Sequence, residues 1–501
     1  MMWRLPALTL LCLSLYPAGA EVIYVDADAP TGGNGESWPS AYDNLQDALR
    51  SARPGDEIWV AEALYYPTDG RNRSKSFRLR DGVAVYGGFL GIETNRNERD
   101  WLANVSVLSG NIGDPQIEYD NTFRIITSEG LGEKTVIDGF TVTHAHNDRE
   151  GILGRGGAMY NESSSPIIAN CSFIDNYALG GAGLWNERSN PTVRSCLFRL
   201  NERTAVFNNS SSPAYFECLF EKNKSIRGAG MASDGMSSPL VVGCEFRRND
   251  VSSVGGAYFG WGDPVFVNCT FSRNKAGVFG GAMYLRGLTS TLTNCTIYGN
   301  RAKQDGGGIV THSETSRVIL INCIAWGNRG LPQFIEENQI GTGVRTINYC
   351  CIEGWTGKHG GVGNHGEDPL FLDPDKDNLR LRSGSPCIDK GDNEAVTEPK
   401  DLDGNPRILH QTVDMGVYES VCDDLSGLEL TCSDTGKLKA KLTTALPKGS
   451  TVTLTNSTAK KAKQVAINRK GVGKAKWRNQ TGQIEICPAG CDGPCQRVQC
   501  P

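Results

Sequence analysis

Cys171-Ser172-Phe173-Ile174-Asp175-Asn176 is the stretch on which the fold turns, because its cysteine, phenylalanine and asparagine return along the chain at the same spacing. They recur as Cys196-Phe198-Asn201, Cys218-Phe220-Asn223, Cys244-Phe246-Asn249 and Cys269-Phe271-Asn274, and Cys295-Ile297-Asn300 and Cys323-Ala325-Asn328 relax only the aromatic. Successive cysteines lie 25, 22, 26, 25, 26 and 28 residues apart. A period of this size marks one supersecondary unit stacked on copies of itself, since a single unit cannot bury its apolar face alone.

In an extended strand, residues two apart share a face, so each Cys and its Phe point inward while the residue between them points out. About 25 residues hold three short strands and three turns, and coils of that kind stack at about 4.8 Å. The fold class expected is therefore all-β: a right-handed parallel β-helix of three-strand coils over residues 21–420. Cysteine would stack on cysteine, phenylalanine on phenylalanine, and each asparagine would sit at a tight turn and bond neighbouring backbone. Stacked Cβ atoms about 4.8 Å apart are too wide for a good disulfide, so the ladder thiols should be free and buried. A second phrase, Gly-Gly-Ala, precedes most copies at Gly156-Gly157-Ala158, Gly180-Gly181-Ala182, Gly255-Gly256-Ala257 and Gly280-Gly281-Ala282. Counting back from each Cys gives an aromatic column of Tyr160, Trp185, Phe207, Tyr258 and Tyr284, read as a core stack in preference to a sugar platform.

Outside the repeats, Ser40 to Ala52 reads as a capping helix, with Ser40 and Asp43 as its capping box and Pro54-Gly55 as its stop. Residues 1–20 read as a signal peptide: Arg4, an apolar run from Leu5 to Tyr16, and Ala18-Gly19-Ala20 before the cleavage point. No stretch approaches the roughly 20 apolar residues of a membrane-spanning helix. Residues 422–501 carry thirteen basic and six acidic residues, net +7, which leaves −12 on residues 1–421. That tail reads as a small antiparallel β domain over 421–501. Its six cysteines, Cys422, Cys432, Cys487, Cys491, Cys495 and Cys500, suggest disulfides in an exported chain, with pairing left open.

The text Asn44-Leu45-Gln46-Asp47-Ala48-Leu49, Pro54-Gly55-Asp56-Glu57-Ile58-Trp59-Val60-Ala61 and Val85-Tyr86-Gly87-Gly88-Phe89 resembles the start of exported bacterial β-helix proteins of the pectin-lyase-like superfold. Asp368-Pro369-Leu370-Phe371, Gly384-Ser385-Pro386-Cys387-Ile388-Asp389 and Asp401-Leu402-Asp403-Gly404-Asn405-Pro406-Arg407 resemble their end, a choice-of-anchor Q region over 368–420. The repeats are also similar to those of polymorphic outer-membrane adhesins. The resemblance implies contact with polysaccharide but supplies no active site. Neither the Asn-Thr-Asp, Asp-Asp and Gly-His-Gly set of polygalacturonases nor the calcium and arginine constellation of pectate lyases is recognisable.

Candidate chemistry is therefore read from residue types. His144, His146, Asp148, Arg149 and Arg155 form a polar excursion that could supply a base and a cation for a uronate substrate, or simply an exposed loop. Glu162 and Glu187, aligned on neighbouring coils, could act as a carboxylate pair, or be ordinary turn acids. Trp185, Arg188, Arg286 and His312 fall near the same column as substrate-binding candidates. Asp401-Asp403-Asn405 and Asp373-Asp375-Asp377 are fragments of calcium loops without the closing glutamate, so calcium enters only as a structural ion and no metal site is assigned. The expected protein is a secreted or cell-surface monomer that binds, and as a lyase or glycoside hydrolase would degrade, an extracellular polysaccharide. The alternative is a non-catalytic adhesin or envelope protein. No nucleic-acid partner is expected.

Overall fold

A computed structural model describes residues 20–331, 335–341, 343–409, 411–420 and 427–433, and the strands between 438 and 500. The chain winds as a right-handed parallel β-solenoid of about 11 turns. Three long parallel sheets run its length. Sheet I has twelve strands, from Val22–Val25 to Val344–Asn348; sheet II has eleven, from Ala63–Tyr65 to Cys351–Ile352; sheet III has nine, from Phe77–Arg78 to Ile309–Thr311. Beyond the three strands expected per coil, a short fourth ladder joins Lys224–Arg227, Asp250–Val254, Lys275–Ala276 and Arg301–Ala302.

Register is kept residue for residue. Phe173, Phe198, Phe220, Phe246 and Phe271 pair in sequence across sheet II, and their rings stack 4.4–5.0 Å apart within 13° of parallel. The ladder cysteines from Cys171 to Cys323 are buried and free, and Cys350 extends the column by one coil. Their neighbours Ser172, Leu197, Leu219, Glu245, Thr270, Thr296 and Ile324 point out, as alternation requires.

The asparagines form a continuous buried ladder. Asn249 Nδ2 donates to Phe220 O and to Asn274 Oδ1, both at 2.9 Å, while Asn249 Oδ1 accepts from the backbone and side-chain nitrogens of Asn223. The pattern repeats from Asn176 to Asn328 and ends on Gln339, whose Oε1 accepts from Asn328 Nδ2 at 2.7 Å. The left-handed backbone falls one residue earlier than expected, at Asp175, Leu200, Lys222, Arg248 and Arg273, with φ between 54° and 57°. The asparagine is freed from that strain and spends its amide on the coils above and below. The second glycine of the Gly-Gly-Ala phrase answers to close packing: a Cβ on Gly281 would lie 2.3 Å from Gly307 O.

The capping helix is shorter than expected. It runs from Leu45–Ser51, and Asn44, not Ser40, caps it by accepting from Asp47 N at 3.0 Å. Trp38–Ser40 forms a separate 3-10 turn, since Pro39 at its second position has the fixed φ of a helical first turn and no N–H to leave unpaired. Leu45, Ala48 and Leu49 bury against the first coils.

Residues 368–420 fold back as a plate over the outer face of sheet II. Phe371, Leu379, Leu381, Met415, Val417 and Tyr418 share one buried cluster with Ile324 and Cys351, and Val417 N donates to Thr296 Oγ1 at 3.1 Å. Thr270, Thr296 and Ile324 are thus outward in register yet buried. Asp375 and Asp377 pair with Arg273, Asp377 also pairs with Arg248, Asp373 with Lys376 and Asp403 with Arg380. Asp401 accepts from the backbone of Asp403, Asn405 and Glu419. These acids of the calcium-like fragments therefore hold the plate's own turns and its seat on the solenoid. In the tail, two antiparallel sheets of three and four strands are built from Gly427–Cys432 to Gln496–Cys500. Residues 1–19, the greater part of the expected signal peptide, and Cys422, Cys491 and Cys495 lie outside the described residues, as do the side chains of Cys432, Cys487 and Cys500. Among the described residues no helix is long and apolar enough to cross a membrane.

Removing one rung should show how much the ladder matters. Asn249→Ala strands amides of Asn223 and a carbonyl of Phe220 in the interior, at a cost on the order of 3 kcal/mol, whereas Lys275→Ala, at an exposed position of the fourth ladder, should be near neutral; thermal unfolding followed by circular dichroism compares the two. The plate carries a pH signature as well. Glu419 contacts Arg407 at 2.8 Å with both side chains 1 % exposed, and Asp414 and Asp401 lie close by. Burial pushes Asp401 up to about 6 and Asp414 to about 7, although Arg407 faces Asp414 and backbone N–H groups oppose the shift; Asp389 and Asp403 are the other acids facing this group. A carboxyl raised above its unfolded value near 4 stabilises the fold fully below that value and loses the contribution as pH rises through the folded one. Asp414→Asn should therefore flatten the fall in melting temperature between about pH 4 and pH 7 relative to the parent protein.

Candidate functional site

The outer face of sheet III presents two side-chain columns. Met159 and Asn161 point inward and Tyr160 and Glu162 outward, by the alternation of an extended strand. The first outward column reads Tyr160, Trp185, Phe207, Ala232, Phe259, Tyr284 and Val310. Two expectations are corrected here. The aromatic column lies outside the central core, and Tyr258 does not belong to it: Tyr258 pairs with Met231 and Met283 inside the solenoid, and Phe259 takes its place outside. The second error comes from one ambiguous position, because Tyr258 and Phe259 are adjacent aromatics and a one-residue slip exchanges the two faces.

Arginines cover this column. The Arg124 guanidinium lies 3.7 Å from the Tyr160 ring centroid, Arg155 4.8 Å from Trp185 and Arg227 5.5 Å from Phe259. Trp185 stacks on Phe207 at 4.3 Å and 6°. Such cation–π contacts hold a guanidinium flat against an apolar strip while its N–H groups still face the groove.

The second column is polar, with Glu129, Glu162, Glu187 and Asn209 in register. Glu187 is fully engaged: Arg188 and Asn209 reach Oε1 at 3.0 and 2.9 Å, and Asn209, Trp185 Nε1 and Arg155 reach Oε2 at 3.0, 3.1 and 3.4 Å. Arg188 also binds Glu162 Oε1 at 2.8 Å, so one guanidinium bridges the two carboxylates. A carboxylate held by so many donors anchors the groove and has no oxygen left to serve as acid or nucleophile.

The polar excursion divides. His144 faces Asp175 at 3.8 Å at a turn, and His146 stacks on Tyr177 at 4.5 Å, with burial lowering its pKa. Asp148 pairs with Arg73 at 2.8 Å. Only Arg149 and Arg155 reach the sheet III groove. Arg149 lies 4.3 Å from the Phe123 ring, which Arg73 also contacts at 4.1 Å. A cavity of about 760 Å³ opens there between the capping helix and the first strands of sheet III; its lining includes Lys75, Arg80, Arg124 and Arg149 together with the acids Asp47, Asp69 and Glu129, of which Asp47 pairs with Arg50 and Glu129 with Arg78. Burial pushes Arg124 and Arg149 below their ordinary values, and among the described residues neither forms an ion pair with a carboxylate.

Arg286 and His312 do meet, four to five coils further on. His312 Nδ1 is 2.9 Å from Tyr284 Oη and its Nε2 is 3.2 Å from Arg286, which lies 3.9 Å from the Trp261 ring. Arg124, Phe123 and Trp261 escaped the sequence reading. The first two sit on coils that precede the Cys-Phe-Asn phrase and so carry no visible register, and Trp261 follows the ambiguous aromatic pair.

A family model for a right-handed β-helix region matches residues 81–246 and 216–354, together more than half of the 501 residues. The chain belongs to this family. Among solved structures, this β-helix is similar to pectate lyase Pel9A, at 12 % identity over 80 % of this chain and 97 % of that one, with a TM-score of 0.49. It is also similar to the enzymatically active domain of tailspike protein 2 from bacteriophage CBA120, at 12 % identity over 96 % of this chain and 70 % of that one, with a TM-score of 0.37. No curated protein matches the sequence.

If Glu187 anchors the groove of this β-helix, Glu187→Gln should lower stability by about 1.5–3 kcal/mol, the worth of hydrogen bonds to a charged group. A melting temperature equal to that of the parent protein would instead show that Glu187 does not anchor the groove.

Proposed function

We propose that this β-helix binds an acidic polysaccharide along the outer face of sheet III, with uronate carboxylates seated on Arg124 and Arg149. The observation that carries this reading is a pair of partly desolvated guanidiniums without a carboxylate partner, beside an outward aromatic column whose next coils hold the matched pairs Arg155–Glu187 and Arg188–Glu162. A planar guanidinium suits a carboxylate, and an aromatic face suits the apolar face of a sugar ring. Coils repeat at about 4.8 Å, so the same kinds of contact recur along an extended chain.

The protein acts outside the cell in this reading, because residues 1–20 have the form of a cleavable leader and the choice-of-anchor Q resemblance of residues 368–420 belongs to exported proteins. Binding without cleavage, as in an adhesin, is favoured on the Glu162–Glu187 stretch by the saturation of Glu187. Any lyase or hydrolase chemistry would fall to the Tyr284, Arg286 and His312 group, where an imidazole and a guanidinium face one groove.

Affinity for polygalacturonate, measured by isothermal titration calorimetry, should fall roughly 10- to 100-fold in Arg124→Gln/Arg149→Gln and weaken with added salt, as expected for contacts of about 1.5–3 kcal/mol. A neutral glucan should bind equally to both proteins. Equal affinity of parent and variant for polygalacturonate would refute this placement of the site.

A further inference from the structure

Cys351 and Cys387 stand apart from the other described cysteines. Cys351 follows the last ladder residue, Cys350, but points to the opposite, outer face of sheet II, where Ile324 is its strand partner. Cys387 comes from the plate, held by Cys387 N donating to Ser385 Oγ at 3.2 Å and Met415 N donating to Cys387 O at 3.0 Å. Both are fully buried, and their sulfurs and a ring nitrogen of His365 all lie within 4.8 Å of one another. We propose that Cys351 and Cys387 form a disulfide that fastens the plate to the last coil of the solenoid; the proposal rests on export to an oxidising space.

The contrast with the ladder is geometric. Ladder sulfurs belong to parallel strands whose spacing fixes their Cβ atoms about 4.8 Å apart, beyond the separation a good disulfide takes. A contact with a backbone carbonyl does not separate the two sets, since Cys350 Sγ lies 3.1 Å from Asn348 O and Cys351 Sγ 3.2 Å from Glu367 O. Cys351 and Cys387 come from two segments that are not neighbouring coils, so no coil spacing holds them apart.

A metal is the other occupant that this trio could take, and two observations disfavour it. Three donors are one short of the closed tetrahedral set of a structural zinc. His365 Nδ1 accepts from Glu367 N at 3.3 Å, which places the ring proton on Nε2, the nitrogen facing Cys387 Sγ at 4.0 Å. A donor N–H stabilises a sulfur anion there and offers no lone pair to a cation. Contact with Cys351, then with His365, also draws the Cys387 thiol below its ordinary range against the effect of burial.

The chemistry is thiol–disulfide exchange with a small-molecule disulfide as oxidant, begun before the plate docks and completed as docking brings Cys351 to Cys387. The Cys387 thiolate attacks one sulfur of the oxidant, forming a mixed disulfide and releasing a thiolate. Cys351 gives its proton to that thiolate and attacks Cys387 Sγ, releasing the second, which takes the proton first lost by Cys387. Two protein thiols are oxidised and one disulfide is reduced to two thiols. Once docked, the bond is shielded by the same cluster that buries both sulfurs.

The full-length chain, purified after export and again from the cytoplasm, is denatured without reductant, alkylated, digested and mapped by mass spectrometry. A peptide pair joined through Cys351 and Cys387 is expected in the exported sample, with Cys171 to Cys350 of the ladder alkylated. Cytoplasmic protein should close the same pair when refolded in glutathione disulfide buffer. If the chain is not exported but the refolded protein closes the pair, export fails and the latch stands. If both thiols remain alkylated after refolding, or if stoichiometric zinc accompanies two free thiols, the latch is overturned.

Discussion

A backbone that returns to the same place every coil is tolerable only if each turn satisfies its own polar groups in the same way. The buried asparagine ladder does this: one amide accepts from the coil before it and donates to the coil after it and to the carbonyl of a core phenylalanine. An unpaired buried amide costs as much as several good contacts gain, so the ladder fixes one turn geometry at every level. The left-handed residue before each asparagine is then a consequence, since the chain must bend sharply to bring the amide inward. With turns identical, strands fall into register and the phenylalanines stack.

That register also creates the groove. Every coil that places Met159, Leu184 or Met231 inside must place Tyr160, Trp185 or Ala232 outside, at the same height and in the same direction. An apolar strip facing outward is a liability unless something covers it, and arginines do so here by lying flat on the rings. Arg155 finds a carboxylate in Glu187. Arg124 and Arg149 do not, and they line the cavity where the capping helix approaches the first strands of sheet III. The end of the solenoid that a helix must protect is therefore also the place where two guanidiniums stand without a carboxylate.

The plate solves a related problem on another face. Thr296, Ile324 and Cys351 belong to an outward column that grows apolar toward the C-terminal coils, and residues 368–420 cover it. Buried acids and one buried arginine order the plate's turns, at the cost of holding carboxyl groups where water cannot reach them.

The repeat phrase alone determined the solenoid, the stacked phenylalanines, the free buried thiols and the asparagine ladder, because a period of about 25 residues with inward positions two apart admits one winding. It did not determine the first coils, which carry no such phrase, nor the capping residue Asn44, where Ser40 offered a competing cap. Only the tertiary structure decided that the aromatic column faces out and that Phe259, not Tyr258, belongs to it. Periodicity of two cannot say which of two adjacent aromatics is inside. The meeting of Arg124 with Arg149, and of Cys351 with Cys387, was likewise invisible, since those residues are brought together by the capping region and by the folded-back plate, whose paths no local pattern encodes.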